Sequence, residues 1–71
     1  MEEFYLRKED EYIKLGQLLK ACNLAESGSF AKEEIQDGWV KVNGEVEYRR
    51  GKKLKEGDVV EYEGYKVIIC R

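Results

Sequence analysis

The feature that most constrains this chain is a change of hydrophobic period at Gly38. Before it, Leu15, Leu18, Leu19 and Cys22 fall at i, i+3, i+4 and i+7, one face of a helix. Ala31 and Ile35 repeat that spacing at i, i+4, bordered by Phe30 and Glu34. After it, Trp39-Val40-Lys41-Val42 alternates polar and apolar, as a half-buried strand does. A chain that changes period once, from helical to extended, folds as segregated helices and strands. The expected class is therefore α+β, a helix pair packed on one side of a small antiparallel sheet.

Local signals place the boundaries. The first helix is expected over about 15–22, with Asn23 at its end and Leu24 tucked beneath it. Ser27 or Ser29 can cap a second helix by accepting a hydrogen bond from a free backbone N–H. Asp37-Gly38 ends that helix, because glycine tolerates a left-handed backbone. Phe4-Tyr5-Leu6 reads as an edge strand, and residues 7–11 as a charged connector. Asn43-Gly44 marks a hairpin. A two-residue loop there would set Val42 opposite Glu45 and Val40 opposite Glu47, mixing core with charge. A one-residue slip pairs Val42 with Val46 and Val40 with Tyr48, so a bulged or longer loop is expected. Glu56-Gly57-Asp58 is a turn. Residues 59–62 and 65–70 form a second hairpin about Glu63-Gly64, where a two-residue register sets Tyr62 against Tyr65 and Val60 against Val67. The expected order is strand, helix, helix, then four strands.

Seventy-one residues suffice for one domain with a modest core. The chain has no His, and its two cysteines, Cys22 and Cys70, lie far apart in sequence, so no zinc site is expected. Both thiols are read as reduced, small, mostly buried apolar residues. No apolar run approaches the ~18–20 residues of a membrane span, and the acidic start Met-Glu-Glu-Phe-Tyr does not look like a secretory signal. A cytoplasmic location follows as an expectation. Catalysis has no foothold. No His is available for proton transfer near neutral pH, and no nucleotide loop, metal cluster or nucleophile with a paired base is present. No enzyme activity, cofactor or small-molecule substrate is expected.

The net charge is −2, but it is unevenly spread. Residues 1–12 carry five acids and two bases, whereas residues 39–55 carry two acids and six bases. Arg49, Arg50, Lys52, Lys53 and Lys55 are five bases in seven positions with no acid between them, anchored by the apolar Leu54. Such a loop neutralises phosphates and releases counterions, the main sequence-independent source of nucleic-acid affinity. On charge alone a merely solvated loop is an equal reading. Ser27-Gly28-Ser29, at a helix start, can cap that helix and also receive a phosphate. Lys32 follows buried Ala31 by about 100° and faces solvent. Lys20 reads as an ordinary exposed charge. Trp39 could stack on a base, but packing over the second helix at the edge of the core is the expectation.

The strings Lys14-Leu15-Gly16-Gln17-Leu18-Leu19, Ser27 to Lys32 with Ile35, Gly38-Trp39-Val40-Lys41-Val42-Asn43-Gly44, and Gly57-Asp58-Val59-Val60 resemble the RNA-binding domain named after small-subunit ribosomal protein S-four. The resemblance covers residues 13–62, and its most specific piece is Gly38 to Gly44. The chain looks like the small bacterial members, and residues 1–71 are expected to form a single S-four-like domain. The resemblance implies an αL motif of order β-α-α-β-β-β-β. It also implies binding of structured RNA, ribosomal RNA in particular, during ribosomal subunit assembly and without catalysis. It nominates Lys14, Ser27, Gly28, Lys32, Lys41 and Asn43 as RNA contacts, with Arg49, Arg50, Lys52 and Lys53 extending the track. The competing expectation is a protein adaptor that docks an acidic partner on a ribosomal particle or replication factor. That reading gains if Glu33, Glu34 and Asp37 interrupt the basic face.

Overall fold

The computed structural model describes residues 1–71. In chain order the elements are β1 (Glu2–Tyr5), β2 (Ile13–Lys14), α1 (Leu15–Ala21), α2 (Gly28–Gln36), β3 (Val40–Val42), β4 (Glu45–Val46), β5 (Lys53–Leu54), β6 (Val59–Tyr62) and β7 (Tyr65–Cys70). The α+β class and the helix pair are as expected. Five strands form one sheet in the order β1-β7-β6-β3-β4, and β2 pairs with β5 in a separate two-stranded ladder.

The sheet is mixed rather than wholly antiparallel. β1 runs parallel to β7, with Phe4 beside Ile69, while every other pairing is antiparallel. The register, not the strand direction, sets Phe4 on the same face as Ile69. Phe4 therefore packs against the core, and Leu6, just past the strand, is buried. The short β2–β5 ladder is an addition to the expected strand order.

The core lies between the helix pair and one face of the sheet. Leu15, Leu18 and Leu19 of α1, Ala31 and Ile35 of α2, Val40, Val60, Val67 and Ile69 of the strands, and Leu54 of β5 are all essentially inaccessible to water. Each buried Leu, Ile or Val among them contributes about 1.5–3 kcal/mol relative to exposure. Cys22 and Cys70 are free and only half-buried, less enclosed than their small apolar character suggested.

The helix termini follow the local chemistry. Ser27 Oγ accepts the Phe30 N–H at 3.1 Å and caps α2. At the other end Gly38 adopts φ +86°, its N–H donates to the Ile35 carbonyl, and the Trp39 N–H donates to the Glu34 carbonyl. This paired closure satisfies two orphan carbonyls and turns the chain into β3. It also throws Trp39 outward. The indole is 64% exposed and does not pack over α2 as expected. The reason lies in the turn, which spends its geometry on the backbone and leaves the next side chain on the solvent side of the sheet.

The first hairpin corrects the expected register. Val42 pairs with Glu45 and Lys41 with Val46, with no bulge. Asn43 and Gly44 both take positive φ, +52° and +86°, the conformation of a tight two-residue hairpin turn. Turn chemistry therefore prevails over side-chain alternation in a strand of two residues. The Val40–Tyr48 pairing does not form, and Tyr48 instead lies on the outer side, its ring near Gly38. Glu47 falls on the Val40 side, where its N–H donates to the Val40 carbonyl at 3.0 Å and its side chain is only 15% exposed. Arg49 resolves the mixture of core and charge. Its backbone N–H, Nε and Nη2 donate to the Glu47 carboxylate at 3.0, 2.9 and 3.1 Å. The second hairpin has the expected register, Tyr62 opposite Tyr65 and Val60 opposite Val67. The buried Tyr62 hydroxyl donates to Glu34 at 2.5 Å and ties α2 to β6.

Two outcomes test these links. Tyr62→Phe removes a hydrogen bond to a carboxylate and should lower stability by about 1.5–3 kcal/mol in urea unfolding; an unchanged midpoint would show that the bond contributes nothing. The hydrogen bonds from Arg49 hold the Glu47 carboxyl at about 2, below its usual 4.5. A depressed carboxyl contributes stability above its unfolded value and loses it as pH falls from about 4.5 through about 2. Melting temperatures across that window should fall more steeply for the native chain than for Glu47→Gln, and parallel curves would refute the link.

Candidate nucleic-acid interface

The basic loop leaves β4 and is drawn back onto the start of α1. The first turn of a helix carries N–H groups without intrahelical partners. Here two of them are taken by the loop. Leu15 N–H donates to the Lys52 carbonyl at 2.9 Å, and Gly16 N–H donates to the Arg50 carbonyl at 3.0 Å. The β2–β5 ladder adds a second attachment by setting Ile13 beside Leu54 and Lys14 beside Lys53. Burial of Leu54 completes it.

This docking gathers cations from two distant stretches of sequence. Lys14, Lys20 and Arg50, together with Gln17 and the glycines Gly16, Gly28 and Gly51, line a cleft of about 330 Å³. A second depression, of about 530 Å³, is lined by Arg49, Lys52, Lys53 and Lys55 with that same Gly51. Neither lining contains an acidic or an apolar side chain. Lys53 Nζ sits over the Tyr12 ring at 4.9 Å from its centroid, a cation–π contact that steers the lysine. Lys14 and Lys53 are direct cross-strand neighbours. Like charges so placed repel, and an anion between them would relieve the repulsion.

The remaining nominated residues lie elsewhere or are otherwise engaged. Ser27 is occupied in capping α2. Lys32 is exposed on α2, outside the lining of both depressions. Lys41 stands opposite Glu61 on the outer face of the sheet, in a hollow shared with Trp39 and Glu63. Asn43 donates through Nδ2 to Asp58 Oδ1 at 3.0 Å and accepts the Val59 N–H at 2.9 Å, so its amide latches the hairpin turn to β6. Arg49 borders the second depression while its guanidinium is held by Glu47. The structure thus brings together Lys14, Gly28, Arg50, Lys52 and Lys53 and separates Lys32, Lys41 and Asn43 from them.

Sequence reasoning passed over three contributors. Lys20 lies two turns into the first helical stripe and looked like an ordinary surface charge. Gln17 lines the cleft and accepts the Lys14 N–H at 3.4 Å, closing the start of α1. Tyr12 had no pattern to mark it. The pairing of Lys53 with Tyr12 depends on the β2–β5 ladder, and a two-residue ladder has no sequence signature. The acids of the second helix do not enter the basic clefts. Glu34 is bonded to Tyr62, and neither Glu33 nor Asp37 lines either depression. The largest hollow, about 750 Å³ and lined chiefly by residues 4–14, is mixed in charge, and there Arg7 pairs with Asp10 at 3.0 Å. No group of three or more metal-ligating side chains is assembled, and no helix is long and apolar enough to cross a membrane.

Comparison with known proteins places this architecture. Over 57 residues the chain is 47% identical to the Probable ribosome maturation protein RlbA of Bacillus subtilis (strain 168), covering 80% of each chain. It is 40% identical over 67 residues to the Putative RNA-binding protein YbcJ of Escherichia coli (strain K12), covering 94% of each. The solution structure of YbcJ from E. coli, described as revealing an αL motif involved in RNA binding, matches with a TM-score of 0.75 at 38% identity, over 100% of this chain and 89% of that one. The S4 domain family matches residues 6–70, and the chain belongs to that family.

Proposed function

We propose that residues 1–71 act as a single non-catalytic RNA-binding domain that holds structured ribosomal RNA during ribosome maturation in the bacterial cytoplasm. The observation that carries this reading is the acid-free cationic cleft where α1, α2 and the basic loop meet, in a chain that is acidic as a whole. Lys14, Lys20 and Arg50 receive backbone phosphates there, and Lys52, Lys53 and Lys55 continue the track. Lys32 and Lys41 are peripheral, and Ser27 and Asn43 serve through the shape they hold. Helical RNA exposes little readable sequence in its deep groove, so recognition is led by shape and charge. The names carried by the B. subtilis and E. coli relatives support both the RNA and the ribosomal assignments. The adaptor reading gains from acids of α2 on the basic face, and Glu33, Glu34 and Asp37 line neither depression, which favours the RNA reading.

A filter-binding titration with ribosomal RNA at several salt concentrations tests the proposal. With about five phosphate contacts, log affinity should fall with log salt at a slope of roughly −4; a flat response would sink it. Within the loop, Arg50→Ala should weaken binding about tenfold or more, whereas Arg49→Ala should cost much less because Glu47 already holds that guanidinium. Equal losses for the two arginines would contradict the assignment.

A further inference from the structure

The chain has seven glycines, and they divide cleanly into two groups. Gly38, Gly44, Gly57 and Gly64 all have φ between +83° and +92°, a backbone that other residues adopt only under strain. Gly16, Gly28 and Gly51 do not. A Cβ added at Gly28 or Gly51 would meet nothing within 4 Å, and one at Gly16 would make only ordinary contact with Arg50 at 3.6 Å. Gly16 and Gly28 lie in the first turns of α1 and α2, where alanine is the better helix former. Folding therefore requires none of these three glycines and is weakened by two of them. Their shared property is position, since all three line the cationic cleft between Lys14, Lys20 and Arg50, and Gly51 is also the saddle between that cleft and the second basic depression.

We infer that the glycines form a side-chain-free floor on which an RNA phosphodiester backbone seats, with consecutive phosphates on either side of the Gly51 saddle. This rests on the RNA-binding reading and specifies how the ligand enters. The backbone descends between the cations instead of lying across their tips. At α1 the positive field comes from side chains, because the Leu15 and Gly16 N–H groups are already engaged by loop carbonyls. With no Cβ at the floor, sugar and phosphate reach a depth at which Lys14 and Lys20 contact the strand from one side and Arg50 from the other. A ligand held only by long-range attraction would be indifferent to a methyl or isobutyl group there.

The test sets stability against affinity. Gly28→Leu and Gly51→Leu, with the matching alanine variants, are compared with the native chain by thermal melting and by filter binding to ribosomal RNA extracted from B. subtilis. The alanine variants should melt at or above the native temperature and bind RNA more weakly. The leucine variants should lose about tenfold or more in affinity, and their salt slope should shallow by about one as a phosphate contact is lost, although no charge has been removed. Folded variants that bind as tightly as the native chain would overturn the glycine floor while leaving the RNA reading intact. If leucine prevents folding, the alanine pair decides on the same criterion. A native chain that retains no ribosomal RNA would overturn both.

Discussion

Two backbone hydrogen bonds at the start of α1 hold the functional surface together. A seven-residue helix has few internal hydrogen bonds to spare and exposes the donors of its first turn. Here those donors are satisfied by the carbonyls of Arg50 and Lys52. The arrangement solves a structural problem for the helix and a positional one for the loop. A run of five bases is self-repelling and, left free, would spread into solvent. Tied to α1 by its own carbonyls, and anchored beneath by Leu54, it presents its side chains in a fixed order toward Lys14 and Lys20. Ordering entropy is then lost at folding and not again at binding, where it would reduce affinity.

The same economy appears in how polar side chains are distributed around the first hairpin. Asn43 accepts the Val59 N–H and donates to Asp58, and Asp58 in turn accepts the Lys55 N–H at 2.8 Å. This chain of contacts joins the hairpin turn, the end of the basic loop and the start of β6. Glu47 and Arg49 do comparable work at the loop's other end. Both ends of the loop are therefore clamped by acid-bearing contacts, while the middle, residues 50–53, is left with uncompensated bases. Acidic residues near a nucleic-acid surface need not oppose it when they hold the backbone that presents the cations.

Local periodicity made the helix pair, the capping Ser27, the closure at Gly38 and the second hairpin legible, because each depends on residues within a few positions of one another. In the second hairpin Tyr62, Tyr65, Val60 and Val67 agree with the shortest loop, so burial and turn geometry point the same way. In the first hairpin they conflict, and the deciding contact, Arg49 on Glu47, is invisible to a pattern of apolar positions. The parallel pairing of β1 with β7 joins the two ends of the sequence, and no local signal records it. The basic loop was legible as a charge run. Its union with Lys20 was not, because the cleft is assembled from residues 14–20, 28 and 50–51, which only the fold brings together. Lys41 and Asn43 lie in the most specific sequence string, yet Lys41 stands on β3 over the outer face of the sheet and the Asn43 amide is engaged in holding the hairpin turn.

There remains the paradox of an acidic chain whose cationic cleft is proposed to hold RNA, and screening resolves it. The molecule extends 31 × 22 × 18 Å. At physiological ionic strength the screening length is about 8 Å. A phosphate in the cleft lies among Lys14, Lys20 and Arg50, whereas Glu61 and Glu63 line a separate hollow with Trp39 and Lys41 on the outer face of the sheet. Net charge governs only at separations or salt concentrations where screening is weak. At about 0.01 M salt the screening length reaches about 30 Å, comparable to the whole molecule, and the distant acids begin to oppose approach. Such a domain should hold RNA through contact and shape once docked while gaining little from long-range attraction. That favours a ligand whose folded backbone already fits the cleft over indiscriminate capture of any nucleic acid.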